Sequence, residues 1–298
     1  MTDQELQEAR RHKWHLDGRP VRTIEDARTF LESVGFCLVY PPAAQDPGLR
    51  GGAEIVLPTF LGAWIGSAEK LPTRQQAFAD PRAHEATELL VRLLREHSAY
   101  EASIFGEDNF VIATSVFPYF YALAGERNPR QDAKADRSLS PLAQDVLAAI
   151  QREGPVAKRQ LAEMLGGDLS EAAIDRALAE LGLRLRITRV DYNPREGSFW
   201  DVLYRWAPQA VNEGMHLSVP VALSALITKY LDCAIAADEK EIGDVFSPVV
   251  ARSKVKEALN ALLTARELGF VHVGSRTLVQ VAPPPRMAER PRRGQRRA

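Results

Sequence analysis

Between residues 138 and 208 the sequence runs through three short helical patterns and then two alternating ones, an order that few small folds accept. Ser140-Pro141 reads as a helix start, with a capping hydroxyl and proline at the first helical position, where its missing N–H costs nothing. Leu142, Val146 and Ile150 follow at helical spacing until Gly154-Pro155 interrupts it. A second helix over 156–165 carries Leu161 and Leu165. Gly166-Gly167-Asp168 make the turn, and Ser170 caps a third helix with Ile174, Leu178 and Leu181 on one face. Gly182 is expected to end it. Leu183, Leu185 and Ile187 then alternate with Arg184, Arg186 and Thr188, as a half-buried strand does. Beyond a loop at 193–197, Trp200, Val202, Tyr204 and Trp206 alternate in a partner strand. Three helices and a hairpin in this order read as a winged helix.

Residues 218–282 repeat the plan. A helix over 219–236 places Leu223, Ile227, Tyr230 and Leu231 on one face, and a short one carries Ile242 and Val245. Ser247-Pro248 repeats the cap at Ser140-Pro141, and Val255, Leu259 and Leu262 line a helix that ends at Gly269. Residues 270–273 and 278–281 form a tight hairpin around Gly274-Ser275. Two units of this kind place the chain in the α+β class, mainly α, with tandem winged helices.

The remaining divisions follow from composition. Residues 127–140 hold no large apolar side chain except Leu139 and read as a linker, and 207–218 form a weaker break. The amino-terminal block, 20–126, opens on a capping-box pattern at Thr23 and Asp26, with Ile24, Ala27, Leu31 and Val34 at helical spacing before Gly35. A short apolar strand over 36–40, a helix opened by Asp80-Pro81 and an apolar run at 109–124 complete it. The tail, 283–298, is rich in Pro and Arg and offers nothing to a core; its six arginines against Glu289 give a net charge of +5. The expected units are therefore 20–126, 138–208 and 218–282, followed by a disordered basic tail.

Function classes narrow next. With 38 Lys+Arg against 39 Asp+Glu the chain has no global basic field, so nucleic-acid binding must use local patches. Two cysteines, Cys37 and Cys233, have no metal-ligand spacing and suit a reducing compartment. The amino terminus lacks the apolar core of a signal peptide, and no apolar run is long enough to span a bilayer, so a cytoplasmic, nucleoid-associated protein with no membrane partner is expected. His12 and His15 share a helical face without a third ligand, and phosphate-loop and nucleophile-elbow motifs are absent from the sequence, so no cofactor or metal is expected.

The third helix of each winged unit is the usual groove reader. In the middle unit it carries Glu171, Asp175 and Glu180 against Arg176, a face repelled by phosphate and better suited, over 171–181, to a protein partner. In the third unit the equivalent helix carries Arg252, Lys254, Lys256 and Arg266 against Glu257 and Glu267, the better DNA-facing candidate. Arg184, Arg186, Arg189 and Arg195 on the middle wing, and Arg292 and Arg293 in the tail, are further candidates for phosphate contact. Each of these faces also has a plainer reading as solvated surface.

Residues 23–41 (TIEDARTFLESVGFCLVYP), 57–66 (LPTFLGAWIG) and 116–124 (VFPYFYALA), followed by two winged helices, resemble the AlkZ/YcaQ-like proteins, nearest to their shorter members. That family comprises tandem winged-helix DNA glycosylases acting on alkylated bases and interstrand crosslinks. The resemblance implies a winged-helix-like amino-terminal block and double-stranded DNA as partner. It also implies a Gln-x-Gln or Gln-x-Asp just after the Val-Gly that closes the first helix. Here Val34-Gly35 is followed by Phe36, Cys37, Leu38, Val39 and Tyr40, so Leu38 and Tyr40 stand where the polar pair belongs. An aliphatic side chain neither orients water nor stabilises positive charge on a sugar. Three readings stay open: a DNA-binding relative without excision chemistry, a glycosylase with a relocated site using a carboxylate such as Glu54, Glu107 or Asp108, and a winged-helix protein-interaction module.

Overall fold

Thr2 and Glu5 close a capping box that starts helix α1 (Asp3–Lys13), a segment the sequence reading left unassigned. The structure is a computed structural model and describes residues 1–42, 56–104, 110–166 and 169–283. In the amino-terminal block, Thr23 and Asp26 form the expected capping box of α2 (Ile24–Val34). Gly35 ends that helix at φ 80, where a Cβ would also lie 2.6 Å from Lys229 Cγ. Strand β1 (Phe36–Leu38), α3 (Phe60–Ile65), α4 (Pro81–Arg95), β2 (Ala99–Ala102), β3 (Phe110–Ala113) and α5 (Phe117–Ala124) follow. The strands form one antiparallel sheet in the order β1-β3-β2, with Phe36 opposite Ile112 and Leu38 opposite Phe110.

The middle block contains α6 (Pro141–Glu153), β4 (Val156–Ala157), α7 (Lys158–Met164), α8 (Glu171–Leu183), β5 (Ile187–Asn193) and β6 (Gly197–Val202), with sheet order β4-β6-β5. Ser140 and Ser170 cap α6 and α8 as expected. The hairpin departs from the alternation. Leu183 finishes α8 and stands 44% exposed, Leu185 turns at φ 50, and the strand begins only at Ile187. The partner strand stops at Val202, and Leu203–Trp206 coil into a helical turn, α9. The alternation of Tyr204 and Trp206 therefore belongs to no strand.

The expected break at 207–218 is a helix, α10 (Pro208–His216), which buries Ala210, Val211 and Gly214 against α5. Gly214 makes that approach possible, since a Cβ there would lie 2.7 Å from the Pro118 carbonyl oxygen. The expected linker at 127–140 likewise folds down: Ala133, Leu139 and Asp136 are buried, and 133–135 form a 3₁₀ turn. Helix α11 (Val219–Ala234), α12 (Glu239–Phe246), α13 (Arg252–Thr264), β7 (Leu268–Val273) and β8 (Arg276–Val281) complete the chain. Ser247 does not repeat the Ser140 cap; it ends α12, and α13 starts at Arg252 behind Ala251. The fold is mixed and mainly helical.

One continuous core joins α2, the first sheet and α5 to α10, α11, α12 and α13, while a second core lies inside the middle block. Helix α1 is strapped across the end of α11. Buried Arg10 donates to the carbonyls of Ala234 at 2.9 Å and Ala236 at 2.7 Å, and Trp14 Nε1 donates to Cys233 O at 2.9 Å. A guanidinium suits this position, because a helix C-terminus leaves unpaired carbonyls and carries partial negative charge. Among the described residues no single helix is long and apolar enough to cross a membrane; α10 and α11 are bent by 115° at their junction and bury into the core.

The middle block is pinned to the first sheet by a buried ion pair. Arg189 Nε donates to Glu101 Oε2 at 2.8 Å, both residues being under a tenth exposed, and Thr188 Oγ1 donates to Glu101 O at 2.9 Å. Replacing Glu101 by Ala leaves the guanidinium buried without its carboxylate, and the expected loss is about 3–5 kcal/mol of stability. The double change E101A/R189M removes both charges and is expected to recover most of that loss. Denaturant melts of the two variants and the parent check this; a double variant no more stable than E101A contradicts the pairing.

Candidate nucleic-acid interface

Helices α12 and α13 form a pair whose inner residues, Ile242, Val245, Val255, Leu259 and Leu262, enter the main core. Asp238 and Glu241 cap the start of α12 reciprocally. With its apolar stripe committed inward, α13 turns Arg252, Lys254 and Lys256 to solvent. A groove of about 340 Å³ runs between the helices, and its lining includes Lys240, Gly243, Arg252 and Lys256, with Glu239 as the one carboxylate. Lys240 escaped the sequence reading, which weighed the third helix alone; the sign on the helix before it was the available signal.

These cations are not equally free. The Arg252 guanidinium rests on Asp244, whose carboxylate is buried, so the side chain is held in one place and partly neutralised. Lys254 reaches Glu257 at 3.0 Å, an exposed pair that water screens strongly. Among the described residues Lys256 and Arg266 meet no carboxylate; Arg266 is exposed at the end of α13, in a left-handed conformation at φ 60. On the following hairpin, Arg276 pairs with Asp3 of α1 at 2.7 Å.

The middle block treats its arginines differently. Of Arg184, Arg186, Arg189 and Arg195, only Arg195, at the tip of the β5–β6 hairpin, is exposed to meet a phosphate; its backbone N–H donates to Asn193 Oδ1 at 2.8 Å, which fixes the turn. Arg189 is 8% exposed and spent on Glu101, so it is corrected from a phosphate contact to an inter-block tie. Arg186, 3% exposed, donates to Asp136 at 3.1 Å, and Arg184 donates to the Ser138 carbonyl at 2.9 Å. These two hold the 127–140 segment down instead of facing outward. They were assigned to a strand that begins later than the alternation suggested. Arg292 and Arg293, with all of the basic tail beyond Pro283, lie outside the described residues.

The acidic face of α8 is partly paired within the block. Lys158 lies 2.8 Å from Asp175 and 3.5 Å from Glu171, and Glu180 accepts from Ser140 N at 2.9 Å and from its hydroxyl at 2.6 Å. In the amino-terminal block, Leu38 is 2% exposed within β1, and the Tyr40 hydroxyl lies 3.0 Å from Thr87 Oγ1. The carboxylates Glu54, Glu107 and Asp108 lie outside the described residues. His12 is exposed on α1, whereas His15 follows that helix and sets its ring edge-on to Phe30, with centroids 5.5 Å apart. Among the described residues no cluster of three His, Cys, Asp or Glu is arranged to hold a metal ion.

Comparison with known proteins gives two findings. The family described as AlkZ related matches residues 21–247. Among solved structures, the Streptomyces sahachiroi DNA glycosylase AlkZ superposes with a TM-score of 0.58 at 12% identity, over 94% of this chain and 70% of that one. At that identity the likeness is one of fold. No curated protein matches.

The two thiols lie in β1 and α11. Cys37 is fully buried in β1, and burial pushes its pKa well up; burial likewise pushes the Cys233 thiol up to about 12. A raised thiol pKa leaves the reactive thiolate unpopulated at neutral pH. The native protein is therefore expected to give no reaction with a disulfide reagent at pH 8 over minutes, and both thiols to react after denaturation. Rapid native labelling of Cys37 would show that β1 opens to solvent.

Proposed function

Because this chain belongs to the AlkZ-related family, we propose that it binds double-stranded DNA through tandem winged-helix units and does not excise bases at the position its relatives are expected to use. The units are taken as 20–126, 138–208 and 218–282, followed by the basic tail at 283–298, and the working site is the nucleoid. The observation that carries this reading is the cationic groove between α12 and α13, where Lys240, Arg252 and Lys256 line a helix pair followed directly by a hairpin. Helix pairs of this kind set the second helix against the major groove, and exposed cations on it release counterions from phosphate. Lys254, Arg266, Arg195, Arg292 and Arg293 are the supporting contacts.

Two observations favour binding without excision. Leu38 is buried in β1, paired to Phe110 of β3 and bridged to Thr59, and carries no polar atom, and Tyr40 shares its hydroxyl with Thr87. A phenol is in any case a weak base at neutral pH. A protein-docking role for 171–181 has less behind it, since Lys158 pairs with Asp175 and Ser140 engages Glu180.

The test is a duplex-binding titration across salt. Neutralising about four to six phosphates predicts a log–log slope of about −4 to −5. R252A/K254A/K256A is expected to weaken binding and flatten the slope by about 3, whereas R176A leaves both unchanged because its helix is net acidic. A flat salt response, or equal losses from the two variants, contradicts the assignment of α13 to DNA.

A further inference from the structure

Phe78 is 82% exposed, the most exposed large apolar side chain among the described residues, and it does not sit on a fraying loop. It occupies the middle of a 3₁₀ turn, Ala77–Ala79, which is bonded on both sides. The backbone N–H groups of Gln76 and Ala77 donate to Thr73 O at 3.0 and 2.9 Å. Ala79 N donates to Gln76 O at 3.1 Å, and Asp80 N to Ala77 O at 3.2 Å. Thr73 donates to the Gln76 side-chain carbonyl from both N and Oγ1, and His84 Nε2 lies 3.0 Å from Phe78 O. Ala77 is buried beneath the turn, so the ring is presented outward by a backbone with little freedom to fold it back.

The surroundings suit a polyanion with flat, apolar bases. Residues 69–82 (EKLPTRQQAFADPR) hold three cations and two glutamines against two carboxylates, Glu69 and Asp80. Beside the turn lies an open depression of about 710 Å³ whose lining includes Lys70, Leu71, Pro72, Gln76, Asp80 and Arg82. Its carboxylate is already engaged, Asp80 Oδ2 accepting from Arg82 Nη2 at 2.7 Å. Apolar Leu71 and Pro72 beside the Gln76 amide and the Lys70 ammonium make a lining that accepts a base and its phosphate together.

We infer that Phe78 is a wedge that enters a weakened base step of duplex DNA, with the adjacent depression receiving the displaced nucleotide. Apolar side chains on rigid turns do this where stacking is already poor, because unstacking a damaged or unpaired position costs least. The inference rests on the DNA-binding reading above, but it uses a surface separate from the α12–α13 groove.

The test compares a fully paired duplex with the same duplex carrying one abasic site, for the full chain, F78A and F78W, at fixed low salt. The wild type is expected to bind the abasic duplex about ten-fold tighter, the scale set by stacking of one base on an aromatic ring. F78A is expected to bind the paired duplex as the wild type does and to lose the preference, and F78W to keep it. Unchanged melting of F78A, expected at so exposed a position, shows that any loss is local. A wild type that binds paired DNA without preference, an F78A variant that keeps it, or an equal loss on both duplexes overturns the wedge and leaves the α13 reading standing. Absence of binding to either duplex removes both.

Discussion

The structure depends on a knot of aromatic rings around Phe36. Its ring centroid lies 5.2 Å from Phe120, 5.3 Å from Phe110, and 6.4 Å from both Tyr230 and Phe246. These five residues come from β1, β3, α5, α11 and α12, and each is fully buried. Pairs in such geometry contribute about 0.5–1.5 kcal/mol each beyond their area. More important is what the knot does to its neighbours. β1 bonds to β3 along its length and bridges to Thr59, so Cys37 and Leu38 are enclosed with Phe36. A polar side chain at 38 would need a buried partner, and leaving it without one costs about 1–3 kcal/mol. The segment that the family resemblance marks for chemistry is therefore built here as core.

The same knot positions the candidate DNA surface. α11 carries Tyr230 into the aromatic cluster and supports α13, whose outward face bears Arg252, Lys254 and Lys256. α1 closes the other end of α11 through Arg10 and extends to the last hairpin, where Leu6 packs with Ala236, Val273 and Leu278. Thus a strand from the amino-terminal block, a helix from the start of the chain and the last two strands hold one helix in place. A change at Phe36 would be felt at α13 through packing alone, since close-packed interiors transmit displacement.

Much of this was legible in the sequence, for reasons that can be named. The caps at Thr23, Ser140 and Ser170 and the stop at Gly35 are local signals, and each falls where the structure has it. The misreadings share another cause. Leu183 to Ile187 and Trp200 to Trp206 alternate, yet tertiary contacts end or delay the strands there. Helix α10 was hidden because its small buried face, Ala210, Val211 and Gly214, carries little apolar signal. Arg186 and Arg189 looked like surface cations because their partners, Asp136 and Glu101, lie 50 and 88 residues away. Charge type is local, but whether a charge faces water is decided by distant chain. Phe78 is the opposite case: an apolar residue in a polar stretch carries no local signal, and only its exposure on a pinned turn singles it out.

DNA binding and the lack of base excision at the buried β1 strand are tested together by one reaction. A duplex carrying a single methylated purine is held with saturating protein across a salt series, and retarded complex and alkali-labile strand are followed on the same samples. A related active glycosylase serves as the positive control. The expected result is a stable, salt-sensitive complex whose labelled strand stays intact while the control is cleaved. Strand cleavage at the modified purine, or no complex at any salt, would contradict it.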